Sequence, residues 1–526
     1  MSYQIMIVVL SAPLSFLLTT FVALLQPGLR PQFVKRSLML AALWGLPVSM
    51  LGAIAVVRHG LLESPLFGIA GLGFSVRLDP LTATMFVMIA LLSVVIAKYC
   101  LNYLDGDDRQ GVFLGRLAMT IASVEMLVLS GNLAILMIAW ITTSLTLHKL
   151  LVFYPNRQRA VLAARKKFIV ARIGDVCLFV AAGLLYFEYG TGNLEVLFTS
   201  VNSMREVGQM VFSVELSAVL IAIAAILKSA QFPTHGWLVE VMETPTPVSA
   251  LLHAGILNAG PYLIVRMAYI IDGTLVAPYL LIGVGGITAL FASTVLLTQP
   301  AVKVALGYSS AAHMGFMLVV CGLGVYPAAM LHLVAHSFYK AHAFLSSGSV
   351  IEAARASRVK LPSRLRNPGR VALTLLLAMF LYGVSAMVWG VDPVHDPALM
   401  AIGAFLVMGL AQLLAPALDS QGGLQGSLLA SGLAVGVTTA FFSLEAGAHV
   451  ILHEVLPHRQ ALGTGMVALT AVISISFAAV ILFQIFEVNR SRSRLTRQLA
   501  IHLRNGFYAN AIFDNLIGAL RLSTHH

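Results

Sequence analysis

Ionisable side chains interrupt long apolar runs between residues 125 and 342. An ionised side chain in a bilayer costs roughly 2.5–3.5 kcal/mol on insertion scales, so such residues usually face a water-filled cavity or a partner. Arg172 and Asp175 lie three residues apart, which lets them pair on one helix face. We predict that ion translocation uses the following set: Glu125, His148, Lys149, Arg172, Asp175, Lys228, Glu243, His253, Lys303, His332, His336 and Lys340.

Lys228 follows an apolar run of twelve residues, Leu216 to Leu227. A lysine at a helix end commonly snorkels to the membrane surface, which is the simplest interpretation. Pro233 follows about one turn later, however, and frees backbone groups that only a protein-lined or wet cavity satisfies. The two prolines of the PTP sequence at 245–247 likewise free backbone groups near the start of the next span. Because broken helices mark ion sites in transporters, we predict that Lys228 is an ion-coupling residue.

His332, His336 and Lys340 are spaced at i, i+4 and i+8, along one helix face. The histidine spacing also fits a pair of metal ligands, but Leu-Val-Ala lies between them where a metalloprotease motif has a glutamate. Imidazoles titrate near neutral pH and relay protons, so the pattern favours a proton wire over zinc. For His313 and His342, the alternative to a role in the proton wire is hydrogen bonding to backbone at a helix interface.

The rest of the chain predicts the membrane bundle that would position these residues. It has 526 residues, of which 59% are hydrophobic and 10% charged, and its mean hydropathy is +0.89. Soluble domains carry about 25% charged residues. Apolar runs long enough to span a bilayer recur throughout, so we predict an all-α polytopic protein with about 14–15 transmembrane helices. Their approximate positions are 3–26, 37–58, 79–104, 114–131, 132–153, 167–187, 213–231, 246–270, 274–297, 301–323, 326–351, 370–390, 396–417, 427–447 and 463–486.

The bundle is predicted to occupy residues 1–489, and 490–526 to form a C-terminal amphipathic tail that lies on the membrane or against a partner. The first segment lacks a basic n-region and a small-residue cleavage site, so we interpret it as a retained span. The Gly-rich loop around 59–80 predicts a short hairpin outside the bilayer.

The net charge of +11 comes from basic clusters that follow the first, fifth, eleventh and fifteenth spans. These clusters lie on one side, which the positive-inside rule makes cytoplasmic, with the N-terminus outside. Nucleic-acid binding is a poor alternative, because basic loops are ordinary in membrane proteins. The three cysteines form no CxxC pair, and no nucleotide-binding or redox-cofactor motif is visible. We expect an ion-translocating subunit without a cofactor of its own, and not an enzyme.

Several long motifs, in order, resemble the antiporter-like membrane subunits of respiratory complex I and of Mrp cation/proton antiporters. That resemblance implies two inverted five-helix repeats, at about 114–417, each with a broken helix and together carrying a lysine–histidine relay. It makes Lys228 the lysine of the first broken helix and His253 the histidine of the next helix. His332, His336 and Lys340 would form the central relay. The motifs are LDPLTATM, RIGDV, KSAQFPTHGWL, PTPVSALLHA, KVALGYSSAAHMGFM and HLVAHSFYKAHAFLSSGSVI.

Two departures from that pattern matter. The family usually has a glutamate after the tryptophan that Trp140 resembles, and this chain has Ile141. The second broken helix, implied at 370–390, usually carries a lysine or an acid, and here neither follows Arg370. Glu125 or the pair His148–Lys149 is our candidate to replace the first group, and the second has no candidate.

The sequence METPTPVSALLHAGILNAG resembles the membrane subunit of the DAB-type inorganic-carbon uptake complex. The resemblance implies a large cytoplasmic zinc partner (DabA-type) similar to β-carbonic anhydrase, and a location in the bacterial inner membrane. Flow of H⁺ or Na⁺ through this chain would drive one-way hydration of CO₂ in that partner, which would hold the zinc. The alternatives are a proton-translocating subunit of a complex I-like or hydrogenase assembly, and a free-standing cation/proton antiporter.

Overall fold

The computed structural model describes residues 2–208, 210–347, 368–392, 397–414, 423–457, 462–487 and 494–516. Helices dominate these residues. The helices of the first part are α1 Ser2–Leu25, α2 Gln32–His59, α3 Pro80–Tyr103, α4 Gln110–Val128, α5 Leu133–Leu151, α6 Gln158–Tyr189, α7 Leu194–Glu206 and α8 Phe212–Lys228. Next come α9 Gly236–Glu240, α10 Thr246–Ala254, α11 Ala259–Arg266, α12 Ala268–Ile271, α13 Val276–Leu296, α14 Val302–Gly322 and α15 Tyr326–Leu345. The last are α16 Pro368–Val388, α17 Pro397–Leu414, α18 Gly423–Leu452, α19 Thr464–Glu487, α20 Arg494–Arg504 and α21 Ala509–Leu516.

Each of the fifteen predicted spans coincides with a helix or, at 246–270, with a set of short helices. In the described part of the chain, eleven spans are long and apolar enough to cross a membrane. Of the other four, α8 has only 17 residues, α15 carries four ionisable side chains that lower its hydropathy, and α16 and α17 contribute shorter apolar stretches. The prediction of a polytopic helical bundle is confirmed.

The predicted break after Lys228 is present. The chain leaves the helix at Ser229 and resumes as α9, followed by a 3₁₀ turn over Val241–Glu243. Pro233 has no N–H to donate and its ring crowds the carbonyl four residues earlier, which disfavours a regular helix at this point. The backbone groups freed by the break need partners inside the protein. The N–H of Phe232 finds one in the Thr288 hydroxyl of α13, at 3.0 Å.

The second break, which the family resemblance implied within 370–390, is absent. Helix α16 runs without interruption from Pro368 to Val388. Its sequence explains this continuity, because its one proline is the first residue, where a missing N–H costs nothing. An irregular path occurs instead at 246–271, where α10, a 3₁₀ turn over Ile256–Asn258, α11 and α12 follow one another.

The predicted hairpin is present as two small antiparallel pairs. Strand β1 (Leu62–Glu63) pairs with β4 (Arg77–Leu78), and β2 (Phe67–Ile69) pairs with β3 (Leu72–Phe74). Arg77 bonds Asp79 at 2.7 Å and Glu195 of α7 at 2.7 Å. Asp79 Oδ2 also pairs with Nη1 of Arg266 in α11, at 2.5 Å. This buried network fixes the hairpin to the bundle.

The loops that follow α1, α3 and α5 meet on one side, which we call the basic face. Lys35 pairs with Asp105 at 2.8 Å, and the Tyr154 hydroxyl donates to Asp107 at 2.5 Å. The tail helices dock on this face: Gln299 donates to the Arg504 carbonyl at 3.1 Å, and Asp514 pairs with Lys166. The predicted basic cluster at 355–366 and the start of the cluster at 489 lie outside the described residues.

Candidate functional site: a lysine cluster and a histidine cluster

Lys228 is buried, with 7% of its surface exposed. Its Nζ donates to the Trp140 carbonyl of α5 at 3.2 Å and lies 4.0 Å from the centroid of the Trp140 ring. A cation over an indole face is stabilised by about 0.5–2 kcal/mol, more when water is excluded. Its place at the C-terminal end of α8 adds a favourable interaction with the helix dipole. The side chain therefore points into the bundle and does not snorkel.

The predicted pair of Arg172 and Asp175 is present on α6, with Nη2 and Oδ2 2.7 Å apart. Asp175 and Lys228 attract each other electrostatically. In the described part of the chain the two side chains form no ion pair within 4.0 Å, and Asp175 acts on Lys228 through its charge.

Lys167 also belongs to this group, and the sequence analysis missed it. Its Nζ donates to the Ser144 carbonyl at 2.8 Å and to the Ser144 hydroxyl at 2.9 Å. The span predicted at 167–187 places this lysine at the end of a basic loop. The helix begins at Gln158, and the alanines at 160, 163, 164 and 171 are buried at helical spacing. That spacing was the signal in the sequence that could have revealed the longer helix.

Together, Lys167, Arg172, Asp175 and Lys228 form what we call the lysine cluster. Their charges act on one another within the bundle. His148 lies beside the cluster: its charge interacts with Lys167, and its ring is 5.1 Å from that of Phe168.

Two other predicted residues, Glu125 and Lys149, have their contacts outside the lysine cluster. Glu125 of α4 faces α2, with Oε1 4.0 Å from the position of a Cβ at Gly45. Both of its carboxylate oxygens are buried without a hydrogen-bond partner. Lys149 is exposed, and its carbonyl accepts from Arg116 at 2.6 Å. The role of Glu125 or of the pair His148–Lys149 as substitute for the missing acid stays a prediction.

Glu243 and Lys303 lie near the basic face. Glu243 Oε1 is 3.8 Å from Arg159, and Lys303 donates to the Thr246 hydroxyl at 3.1 Å. Beside them Lys166 is held by Glu240 at 2.6 Å and by Asp514 of the tail.

The histidine cluster joins α14 and α15. His313 Nδ1 and His332 Nε2 are 3.0 Å apart, a hydrogen bond whose direction depends on the tautomers. The His336 ring lies 5.3 Å from that of His313, and neither of its nitrogens has a hydrogen-bond partner. His313 thus bonds the imidazole of His332, and not backbone as in the alternative interpretation.

Lys340 and His253 complete the histidine cluster. Lys340 Nζ donates to the Ser309 hydroxyl at 2.8 Å and to the Leu306 carbonyl at 3.2 Å. His253 is fully buried, stacks on Phe344 at 4.3 Å and leaves both ring nitrogens without a partner. The spacing predicted from the sequence thus places His332, His336 and Lys340 in one group.

The two clusters are suited to moving a positive charge. Imidazoles accept and donate protons, and a chain of them without fixed partners can pass a proton by exchanging donor and acceptor roles. Across the described ranges, no three His, Cys, Asp or Glu side chains come together in a group that could hold a metal ion.

Family models match two parts of the chain. The model described as "NADH:quinone oxidoreductase/Mrp antiporter, TM" matches residues 130–390, which include both clusters. The model described as "NADH-Ubiquinone oxidoreductase (complex I), chain 5 N-terminus" matches residues 67–114. A probable inorganic carbon transporter subunit DabB2 of Halothiobacillus neapolitanus is 36% identical over 464 residues, which cover 85% of this chain and 81% of that protein. The chain belongs to this antiporter-like family of membrane subunits.

Other members of the antiporter-like family match shorter regions. A probable inorganic carbon transporter subunit DabB of Hydrogenovibrio crunogenus is 44% identical over 292 residues, covering 55% of this chain and 56% of that protein. NADH-ubiquinone oxidoreductase chain 5 of Acanthamoeba castellanii is 34% identical over 293 residues, covering 54% of this chain and 43% of that protein. In these two alignments the chain spans about half the length of its relative.

Two solved structures share the fold of this chain. The Mrp complex from Dietzia sp. gives a TM-score of 0.58 at 22% identity, covering 98% of this chain and 60% of that chain. The archaeal membrane-bound sulfane sulfur reductase gives a TM-score of 0.58 at 19% identity, covering 91% of this chain and 95% of that chain. At these identities the likeness concerns the fold alone.

Proposed function

We propose that this chain is the ion-conducting membrane subunit of an inorganic-carbon accumulation complex in a bacterial inner membrane. Flow of H⁺ or Na⁺ through the bundle drives one-way hydration of CO₂ to bicarbonate. The hydration takes place in a large cytoplasmic zinc partner (DabA-type) that resembles β-carbonic anhydrase. The observation that carries this proposal is the 36% identity to a probable inorganic carbon transporter subunit over 85% of the chain.

The buried clusters support the ion-conducting part of the proposal. Lys228 sits at a helix break, donates to the Trp140 carbonyl and is attracted by the Asp175 carboxylate of α6. A change in protonation of Lys228 alters the attraction to Asp175 and the contact with Trp140. Because α9 begins eight residues later and leads to the basic face, such a change can be transmitted to groups that face the cytoplasm.

The tail supports the partner-binding part. Helices α20 and α21 dock on the basic face through Lys166 and Gln299, yet the side chains of Ile501, Phe507 and Ile512 stay exposed. An apolar surface on the face that the positive-inside rule assigns to the cytoplasm suits a cytoplasmic partner.

A second candidate is a proton-translocating subunit of a complex I-like assembly. It is favoured by the 34% identity to NADH-ubiquinone oxidoreductase chain 5. It is opposed by Ile141 in place of the glutamate and by the unbroken α16, because a complete relay across the membrane needs both stations.

The test is inorganic-carbon uptake by bacterial cells that lack carbonic anhydrase and need elevated CO₂ to grow. Cells expressing this chain together with a DabA-type zinc protein should grow in air and accumulate labelled bicarbonate. A protonophore or a sodium ionophore should abolish the accumulation, and either protein alone should give none. Uptake that persists with both ionophores present would reject the proposal, as would growth supported by the zinc protein alone.

A further inference from the structure

The C-terminal tail contacts the broken helix directly. Asn510 of α21 donates to the Glu240 carboxylate of α9, and its side chain lies against Gly236, the first residue of α9. A Cβ at Gly236 would collide with the Asn510 side chain, so this close approach requires glycine. The tail therefore reaches the short helix in which the chain resumes after the break at Ser229.

A network of one lysine and two carboxylates joins the tail to the bundle. Lys166 of α6 is fully buried, and it pairs with Glu240 at 2.6 Å and with Asp514 of the tail. If the tail leaves, Lys166 keeps Glu240 as its counter-charge, which avoids the large cost of an unpaired buried cation. The Asp514 carboxylate, 7% exposed in the docked tail, then returns to water. The bundle can therefore exist both with and without the docked tail.

The turn between α20 and α21 is held in a costly conformation. A Cβ at Gly506 would lie 3.2 Å from the Tyr308 hydroxyl of α14 and 3.6 Å from the Phe291 ring of α13. Phe507 and Tyr508 follow with φ of 50° and 60°, in the left-handed region that bulky residues rarely adopt. Both side chains remain about half exposed. Such strain persists only where surrounding contacts impose it, so release of the tail lets the turn relax.

The docked tail lies across the cytoplasmic end of the break. His235 and Trp237 are each 2% exposed, although both follow the end of α8 on the side of the basic face. The His235 ring lies 4.9 Å from that of Phe291 and 6.1 Å from that of Tyr308, between their centroids. These are the two aromatic residues against which Gly506 packs. An aromatic layer covered by the tail thus separates the break from the basic face.

We propose that the docked tail is a cytoplasmic gate, which blocks ion flow at the end of the broken helix until the partner binds the released tail. Ile501 and Ile512 are exposed in the docked state, whereas Asn510 and Asp514 are engaged by the bundle. A partner that contacts both faces of the tail has more contacts with the released state and therefore favours it. A subunit that is closed without its partner does not dissipate the ion gradient. This inference rests on the proposed function and adds its regulation.

A disulfide between the substitutions Gly236→Cys and Asn510→Cys tests whether the tail has to move. The Cβ position at Gly236 is 3.3 Å from the Asn510 Cβ, close to the roughly 3.5–4.5 Å found in disulfides. Cys177→Ser removes the partly exposed native cysteine in this variant and in its parent. Cells expressing the complex are oxidised and then reduced, and labelled bicarbonate uptake is measured in each state. Maleimide labelling of the remaining thiols gives the crosslinked fraction.

We expect oxidation to lower uptake by the double variant to about a tenth or less, because the locked tail excludes the open state. Reduction should restore the uptake, and the parent should respond to neither treatment. Uptake by the fully crosslinked complex at the level of its reduced form overturns the proposal, because the tail then stays docked while ions flow.

Asp514→Lys tests the opposite displacement, with Asp105→Lys as its matched control. Each substitution turns a lysine–aspartate pair of the basic face into two lysines, but the pair of Asp105 with Lys35 involves neither the tail nor α9. The full chain is reconstituted into liposomes with and without its partner. Proton flux, followed with a pH-sensitive dye, and uptake of labelled Na⁺ are measured under an imposed K⁺ diffusion potential.

Without the partner, Asp514→Lys should conduct at least about tenfold faster than the wild type, since loss of one charged hydrogen bond shifts the docked–released equilibrium by that factor. Asp105→Lys should stay within about twofold of the wild type. Unchanged flux in Asp514→Lys, while the wild-type complex conducts with CO₂ present, overturns the gate alone. A wild-type complex that carries neither ion rejects the proposed function as well.

Discussion

The lysine cluster and the histidine cluster differ in the partners that surround their buried ionisable side chains. Around Lys228, charges are fixed by an acid, an indole face and backbone carbonyls. Around His336, the groups are imidazoles that bond one another or have no hydrogen-bond partner at all. A site with fixed counter-charges holds a charge in place, and a site of uncharged imidazoles passes a proton on. We propose from this difference that the coupling step belongs to the lysine cluster and that proton transfer belongs to the histidine cluster.

The largest expected effect is at the lysine cluster. Lys228→Ala should reduce carbon uptake at least about 100-fold, the lower end for loss of a positioned proton-transfer group. The partner should still co-purify, since Lys228 lies inside the bundle. Lys35→Ala is the control, because its surface pair with Asp105 contributes only about 0–1 kcal/mol. Carbon-dependent growth of the Lys228→Ala strain in air would show that the relay assignment is wrong.

A smaller effect is expected at the histidine cluster. His332→Gln should lower uptake about 10–100-fold, because an amide keeps one contact with His313 but cannot carry the proton. His342→Gln, on the same helix, is the control and should change uptake less than twofold. Equal loss in both variants would mean that α15 tolerates no polar substitution, and it would remove the distinction between relay and helix-packing histidines. The two variants are compared by their initial rates of labelled bicarbonate uptake.

The tail separates conduction from partner binding. Deleting 490–526 removes the Asp514 pair with Lys166 and the exposed apolar side chains of α20 and α21. We expect several-fold less partner in affinity purification, while the melting temperature of the detergent-solubilised bundle falls by only a few degrees. Asp514→Asn, which removes one charge and keeps the apolar surface, should retain the partner. Partner recovery at the wild-type level after the deletion would assign the tail to the membrane surface instead.

The smallest effect concerns a pair outside the membrane-spanning segments. Burial raises the pKa of Asp272 to about 6, and Arg205, 2.6 Å away, opposes that rise. Folding therefore favours the protonated acid, and this contribution to stability is present below about pH 4 and lost as the pH rises to about 6. The melting temperature of the wild type relative to Asp272→Asn should fall by a few degrees across that interval. A pH-independent difference between the two proteins would contradict the assignment.

Sequence analysis predicted the bundle well because apolar length is a local property. It also predicted the break near Pro233, where the missing N–H removes one helical hydrogen bond. A proline does not always end a helix, since α1 and α2 continue through Pro13 and Pro47. The structure differs from two expectations: the break within 370–390 is absent, and the helix that holds the span predicted at 167–187 begins earlier, at Gln158. The first came from family likeness at a place where this chain has no interrupting residue. The second came from reading two lysines as loop residues when they continue a helix.

The sequence by itself determined that this is a multi-span membrane protein, that Lys228 ends a helix, and that His332, His336 and Lys340 share a face. Hydrophobic length, proline chemistry and helical periodicity act within a few residues and need no partner. Only the tertiary structure decided that Lys228 donates to the Trp140 carbonyl, that Lys167 bonds Ser144 of the same helix, and that His313 bonds His332. Those contacts join different helices, and the packing that sets the distances between helices is not visible in local sequence.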